Sequence, residues 1–259
     1  MIIIGEKLNS SIPRTFQAMQ SKDEGYILNL IKSQDEAGSH YLDINTAICG
    51  QHELQTMEWV VKLALENSKC GIMLDSPSSE VILKTIPKIG DRKLILNSVS
   101  LNERLKALLP TVVETQCGIV ALPIGDSGMP KNFDEKFANA KKLIEILTAA
   151  GVSHTNIYLD VLAEALATDD TSGPVAMETI KAIKTTFPDV HVTCGLSNVS
   201  FGLPKRVNLN NAFLAAAVFA GLDSVIIDIT NASTKQMLFA SLAIAGKDEY
   251  CLNYLNSAR

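Results

Sequence analysis

Residues 41–76 read YLDINTAICGQHELQTMEWVVKLALENSKCGIMLDS, and this stretch contains the unit from which the whole chain is built. Tyr41–Ile44 is a short apolar run with strand character, Glu53–Glu66 is a longer segment with helical periodicity, and Gly71–Leu74 is a strand again. A strand, a helical crossover and a second strand predict a parallel βαβ unit. Both strands also end on polar side chains, Asp43 and Asn45 in the first and Asp75 in the second.

Working outward in both directions, the same alternation recurs. Further strands are expected at Ile2–Ile4, Lys93–Leu96, Gly118–Leu122, Ile157–Leu159, His191–Cys194 and Ser224–Ile227. Helices are expected near Tyr26–Ala37, Ser79–Ile86, Asn102–Glu114, Asp134–Ala150, Val175–Thr186, Asn210–Ala220 and Thr234–Ala245. Their apolar residues fall at spacings of three and four, as in Leu143, Ile146, Leu147 and Ala150. Gly38, Gly151 and Gly221 each follow a helical segment and precede a strand, where a left-handed residue ends a helix. Eight such units predict a closed (β/α)8 TIM barrel. A doubly wound open sheet is the competing arrangement, but no glycine-rich G-x-G-x-x-G follows the first strand. No low-complexity or Pro/Gly/Ser-rich linker interrupts the alternation, so residues 1–259 are read as one domain.

The chain is 47% hydrophobic and 20% charged, with a net charge of −5 and no basic cluster. That composition supports a large core and gives nucleic acid or an anionic membrane nothing to hold. The start, MIIIGEK, is too soon charged to be a signal-peptide core, and the longest apolar stretch, Ala212–Leu222, is too short to span a bilayer. Five cysteines, none in a C-x-x-C pair, fit reduced thiols in a cytoplasmic protein. No His/Cys/Asp/Glu set has metal-ligand spacing, so no protein-bound metal is expected.

In a barrel of this kind the site forms where the strands end. Those positions hold Glu6, Asp43, Asn45, Asp75, Asn97, Asp160, Asp228 and, after the seventh strand, Gly195, Ser197 and Asn198. Carboxylates only accept hydrogen bonds, whereas carboxamides both donate and accept. Such a ring suits a flat heterocycle carrying N–H and amino donors beside ring-nitrogen and carbonyl acceptors. Any one of these residues could instead cap the helix that follows it.

The segments GEKLN at 5–9, LDIN at 42–45, MEWVV at 57–61, LDS at 74–76, LNS at 96–98, GMPK at 128–131, YLD at 158–160 and GLSNVSFGLP at 195–204 resemble the methyltetrahydrofolate:corrinoid protein methyltransferases, members of the pterin-binding TIM-barrel superfamily. The resemblance runs along the chain in order. It implies that Asp75, Asn97 and Asp160 hold the pterin of tetrahydrofolate or 5-methyltetrahydrofolate, and that Asn198 reaches N5 and assists its protonation. It implies a corrinoid (cobalamin) supplied by a separate corrinoid protein, and a homodimer. The direction stays open: folate to cobalt in acetyl-CoA-type metabolism, cobalt to folate in O-demethylation or methylamine use. A dihydropteroate synthase-like condensation and a non-catalytic folate-binding subunit stay open beside it.

Two places depart from the family pattern. Val161 stands where a proline is common, and Pro123-Ile124-Gly125-Asp126 replaces a more polar stretch. Three other signals receive bland readings. His191 is expected to be a strand histidine satisfied by hydrogen bonds, Cys194 a packed thiol, and Lys205-Arg206 surface charge rather than a phosphate cradle.

Overall fold

A computed structural model describes residues 1–126 and 128–257. The chain runs β1 (Ile2–Asn9), α1 (Pro13–Ser21), α2 (Glu24–Ala37), β2 (Tyr41–Asn45), α3 (Glu53–Asn67), β3 (Gly71–Asp75), α4 (Ser79–Thr85), β4 (Leu94–Val99), α5 (Glu103–Thr115) and β5 (Gly118–Ala121). It continues with α6 (Phe133–Ala149), β6 (Ile157–Asp160), α7 (Ser172–Thr186), β7 (His191–Thr193), α8 (Arg206–Ala220), β8 (Ser224–Ile227), α9 (Ala232–Ile244) and α10 (Leu252–Ser257). All paired strands are parallel, in the order β7-β6-β5-β4-β3-β2-β1-β8. The seam between β7 and β8 is closed by Ile226 N–H donating to the Cys194 carbonyl at 2.9 Å and by a Gly195–Ile226 bridge. This is the (β/α)8 barrel that the strand–helix alternation predicts.

The eight expected strands and helices all form, with ends displaced by a few residues. β1 runs on to Asn9, past a register shift between Gly5 and Leu8. There the Gln34 carboxamide accepts from the Lys7 backbone N–H at 2.9 Å, so an α2 side chain replaces the missing ladder partner. Helix α1 was not expected. Pro13 sits at its first turn, where a missing N–H costs nothing, but it has no side-chain cap and buries only Thr15, Ala18 and Met19. Helices α7 and α8 begin at Ser172 and Arg206, ahead of the apolar periodicity that marks their bodies. Gly38, Gly151 and Gly221 have φ of 100°, 98° and 123°, a region that L side chains avoid.

The main core lies between the strands and the surrounding helices. A second buried cluster, Ile4, Met73, Ile95, Val120, Tyr158 and Ile226, fills the barrel interior with one residue from each of six strands. Side chains on a strand alternate faces, so the residues two positions further along point inward as well. Near the N-terminal end, large and small residues interlock. A methyl group on Gly71 would lie 2.4 Å from the Tyr41 ring and 3.0 Å from the Lys93 carbonyl, and one on Gly118 would lie 2.9 Å from the Tyr158 ring. His191 stacks on Tyr158 with centroids 4.8 Å apart, and its Nδ1 lies 3.2 Å from Asp223 Oδ2. It is the hydrogen-bonded strand histidine expected from sequence.

Gly71→Ala should therefore lower the unfolding free energy by about 1–3 kcal/mol, because the added methyl meets the Tyr41 ring on one side and the Lys93 carbonyl on another, and one of them must shift. Urea denaturation would show this as a lower midpoint at unchanged slope. An unchanged midpoint would mean that the Tyr41 ring is not packed as described.

Candidate functional site

The strand period decides which side chains meet. Asp75 lies two residues beyond Met73, Asn97 two beyond Ile95, Asp160 two beyond Tyr158 and Asp228 two beyond Ile226, each inward residue a member of the interior cluster. The parallel register sets their height. Asn45, Asp75 and Asn97 are direct partners across β2, β3 and β4, so three polar side chains stand side by side at one level. Asn45 Nδ2 donates to Asp75 Oδ2 at 2.7 Å, while Asn45 Oδ1 accepts from Ser10 Oγ at 3.2 Å and the Ala47 N–H at 3.1 Å. Asp43 lies one inward position below, 2% exposed, with Oδ1 buried and without a partner among the described residues.

Helix capping does not account for these side chains. Helices α4, α5 and α9 are capped by Ser78, Asn102 and Asn231, so Asp75, Asn97 and Asp228 are not spent as caps. Asp160 and Asp228 are partly used in their own loops. Asp160 Oδ1 accepts from the Leu162 N–H at 2.7 Å, and Asp228 Oδ1 accepts from Thr230 N–H and Oγ at 3.2 and 2.6 Å. No partner to Asp160 Oδ2 is found among the described residues. Val161, in place of the family's proline, donates its N–H to the Thr193 carbonyl at 3.0 Å, a bond that proline could not make. The Pro123–Asp126 stretch is held from outside, by Asn139 Nδ2 on the Pro123 carbonyl at 3.2 Å and by the Leu101 N–H on the Ile124 carbonyl at 3.1 Å.

The rest of the predicted set gathers on the β1–β7–β8 side. Glu6 accepts from Ser197 Oγ at 2.6 Å, and Lys7 Nζ lies 3.0 Å from Asp228 Oδ2. Gly195 is a close approach: a methyl group there would lie 3.0 Å from Asn198 Nδ2. Glu6, Ser197, Asn198 and Asp228 line a cavity of about 600 Å³, and the Asn198 side chain is exposed to it. Asp75, Asn97 and Asp160 do not line that cavity; they occupy the neighbouring sector of the mouth. The predicted residues thus form one rim with two parts, a carboxylate–carboxamide floor and an open cavity with Asn198 at its wall. Cys194 is buried, its thiol pushed up by burial and by the Asp160 and Glu6 carboxylates, as a packed thiol would be.

Burial dominates the electrostatics. It raises Asp43 well above the usual carboxylate range, helped by the charges of Asp75 and Glu6. Burial also raises Asp75, against the Asn45 hydrogen bond and the Arg104 charge, and Glu6, against the Ser197 hydrogen bond. Asp160 is pushed up to about 6 by burial, opposed by the Leu162 N–H and the Lys136 ammonium. A raised carboxyl holds its proton to a higher pH than usual, and while protonated it can donate as well as accept.

Several supporting residues escape a reading from strand ends. Arg104 donates to the carbonyls of Ser76, Pro77 and Ser98, and to that of Asn97 at 3.3 Å, which ties the β3 and β4 loops together. The Ser76 hydroxyl also donates to Glu53. Lys136 is buried and donates to the Val161 and Leu162 carbonyls at 3.0 and 3.2 Å, which sets the loop beyond Asp160. Arg206 is more than surface charge: Nε donates to Ser200 Oγ at 3.0 Å and Nη2 to the Ser197 carbonyl at 2.6 Å, on either side of the Asn198 turn. A signal was present in both arginines. Each stands in the first turn of a helix, where the dipole disfavours a cation unless something else requires it.

Comparison with known proteins follows the same geometry. Residues 5–228 match the family described as Pterin binding enzyme. The methylcorrinoid:tetrahydrofolate methyltransferase of Eubacterium limosum is 32% identical over 262 residues, covering 100% of this chain and 96% of that protein. The methionine synthase of Mycobacterium tuberculosis is 32% identical over 241 residues, 88% of this chain but 20% of that much longer protein. Among solved structures, a Coxiella burnetii dihydropteroate synthase in complex with pteroic acid aligns with a TM-score of 0.70 at 14% identity, covering 94% of this chain and 93% of that one. Yersinia pestis DHPS with a pterine-sulfa conjugate aligns at 0.66 and 18%, covering 95% and 94%. Identities this low speak for a shared fold alone.

Asp160 yields a pH prediction. Its folded value of about 6 lies above the roughly 4 of an unfolded aspartate. The folded protein therefore holds an extra proton between those values, and the stability from that proton is present in acid and lost as pH rises through about 6. Asp160→Asn should flatten this part of the pH profile and leave the ligand-free protein more stable near neutral pH than the parent. Thermal denaturation of both proteins across that range measures it; parallel profiles would show that Asp160 is hydrated in solution.

Proposed function

The chain belongs to the pterin binding enzyme family, and from that premise we propose that it moves a methyl group between N5 of tetrahydrofolate and the cobalt of a corrinoid carried by a separate protein. The observation that carries the reading is the inward rim, with Asn45, Asp75 and Asn97 in register, Asp160 on the same mouth and Asn198 at the wall of the adjoining cavity. The end-to-end likeness to a methylcorrinoid:tetrahydrofolate methyltransferase supports methyl transfer over dihydropteroate condensation, whose solved examples share only the fold.

The residues present fit a pterin. Its amino and ring N–H groups need acceptors, and Asp75 and Asp160 each keep one carboxylate oxygen without a protein partner among the described residues. Asn97 offers both a donor and an acceptor beside them, and the buried orphan oxygen of Asp43 lies on the inner side of the same floor. A buried polar group left unpaired costs about 1–3 kcal/mol, so a ligand that satisfies several at once is strongly preferred over one that does not. We assign the pterin floor to Asp75, Asn97 and Asp160, with Asp43, Asn45, Glu6, Gly195 and Ser197 in support.

Asn198 has the catalytic role in this reading. A methyl on a neutral tertiary amine is a poor electrophile, because its leaving group would be an amide anion. N5 must gain a proton or a strong hydrogen bond, and displacement then proceeds in line at the methyl with cobalt(I) as nucleophile. An asparagine is no strong acid, but a fixed carboxamide can favour the protonated N5 and the developing charge over the ground state. We assign Asp160, pushed up to about 6 by burial, as the second group of this network.

We read residues 1–259 as one working unit, cytoplasmic because its partner's cobalt must be kept reduced, and paired as a homodimer. Support for pairing comes from α8 and α9, which carry Phe219 and Ile244 out to 74% and 80% exposure. O-demethylation remains one of the routes such a transfer could serve.

Mixing the protein with cobalt(I) cobalamin and 5-methyltetrahydrofolate should convert the cobalt spectrum; no change at any pH would end the assignment. Asn198→Ala should lower kcat by about a hundredfold with little change in folate affinity. A silent folate-binding subunit would instead show no rate to lose. Asp75→Asn should act mainly on binding, weakening folate by about tenfold or more, as read by titration calorimetry.

A further inference from the structure

Lys136 stands where two ordinary rules disfavour a lysine. It lies in the first turn of α6, at the end of the helix dipole that repels a cation, and it is 3% exposed, a burial that lysine seldom reaches unpaired. No carboxylate is within ion-pair distance of its ammonium among the described residues; Glu164, Asp160 and Asp169 act on it across space. Its Nζ donates instead to the carbonyls of Val161 and Leu162, at 3.0 and 3.2 Å. Leu162 has φ 49°, a left-handed backbone that L side chains rarely adopt, and both carbonyls meet the one ammonium. The Val161 carbonyl belongs to the same peptide group as the Leu162 N–H, and that N–H donates to Asp160 Oδ1 at 2.7 Å. One planar amide therefore has the ammonium on its oxygen and the carboxylate on its nitrogen side. A cation on the oxygen polarises the amide and makes its N–H a stronger donor, so the two hydrogen bonds reinforce each other.

Few other groups could do this for Asp160. From β7 its neighbour is Cys194, a thiol that burial keeps protonated, and from α6 it is Lys136. Glu164 and Asp169, in the loop that follows β6, bear on Lys136 and favour its charged form against burial. Asp160 itself is pushed up to about 6 by burial, and the two influences that oppose burial are the Leu162 N–H and Lys136, the two ends of the same relay. We propose that Lys136 is a positioning residue for the pterin site: through the Val161–Leu162 peptide it fixes Asp160 and keeps it ionised near neutral pH, ready to accept from the pterin's N–H donors. This rests on the assignment of Asp160 to the pterin floor. Lys136 touches no ligand in it; its charge reaches the floor through one amide.

The test is tetrahydrofolate affinity as a function of pH, by titration calorimetry under anaerobic conditions, on the parent, Lys136→Met, Lys136→Arg, Asp160→Asn and the Lys136→Met/Asp160→Asn double variant. In the parent, affinity should fall as pH drops through about 6, where Asp160 takes up its proton. Lys136→Met should raise the midpoint of that fall by about one pH unit and so weaken binding up to about tenfold at pH values between the two midpoints. Lys136→Arg keeps the charge and should restore the parent midpoint. Asp160→Asn should abolish the step, and adding Lys136→Met to it should then move no midpoint. Should Lys136→Met not fold, Lys136→Gln, which keeps a donor for the carbonyls without the charge, reads the same midpoint. A lysine that only props the loop would weaken binding alike at every pH and in both backgrounds. That result, or a parent affinity flat across the range, overturns the proposal and leaves methyl transfer standing. No binding of tetrahydrofolate by the parent at any pH overturns it together with the folate reading.

Discussion

The whole site depends on carboxylates being carried into a dry barrel by the strand period. Inward positions on β1, β2, β3 and β6 carry Glu6, Asp43, Asp75 and Asp160, above a floor of Ile4, Met73, Ile95, Val120, Tyr158 and Ile226. Bringing acidic groups together away from water raises their proton affinity and sets them against each other. The fold tolerates this because three of them are given a limited number of donors: Asn45 for Asp75, Ser197 for Glu6 and the Leu162 N–H for Asp160. The donors satisfy part of each group and leave oxygens over. A ligand rich in N–H groups would complete what the protein leaves unfinished, so the site that costs stability without ligand is the one that binds it.

Precision at such a mouth requires loops that do not drift, and long cationic side chains supply it. Arg104 spans carbonyls from two successive strand–loop junctions, Lys136 gathers the loop beyond Asp160, and Arg206 brackets the turn that carries Asn198. None of these side chains needs to touch a pterin to matter. Each holds a backbone in place, and the backbones hold the side chains that face the ligand. Conversely the N-terminal end of the barrel is plugged by Tyr41, Tyr158 and His191 over Gly71 and Gly118, which is packing rather than chemistry. This division between a stabilising bottom and a reactive top is what parallel barrels provide.

The βα alternation, the approximate ends of eight strands and the polar character of their last residues were all legible in the amino-acid sequence. Those properties are local: hydrophobic period, glycine at helix ends and the motif pieces each depend on a few neighbouring residues. Helix α1 was illegible for the same reason, since it is short, largely polar and uncapped and is held by what it packs against. That Asn45, Asp75 and Asn97 share one level, that Asn198 stands at the wall of the adjoining cavity, and that Arg206 brackets the Asn198 turn were decided only by tertiary structure. Register and closure fix these relations, and both arise from contacts between strands far apart in the chain, for which no single stretch of residues carries the information.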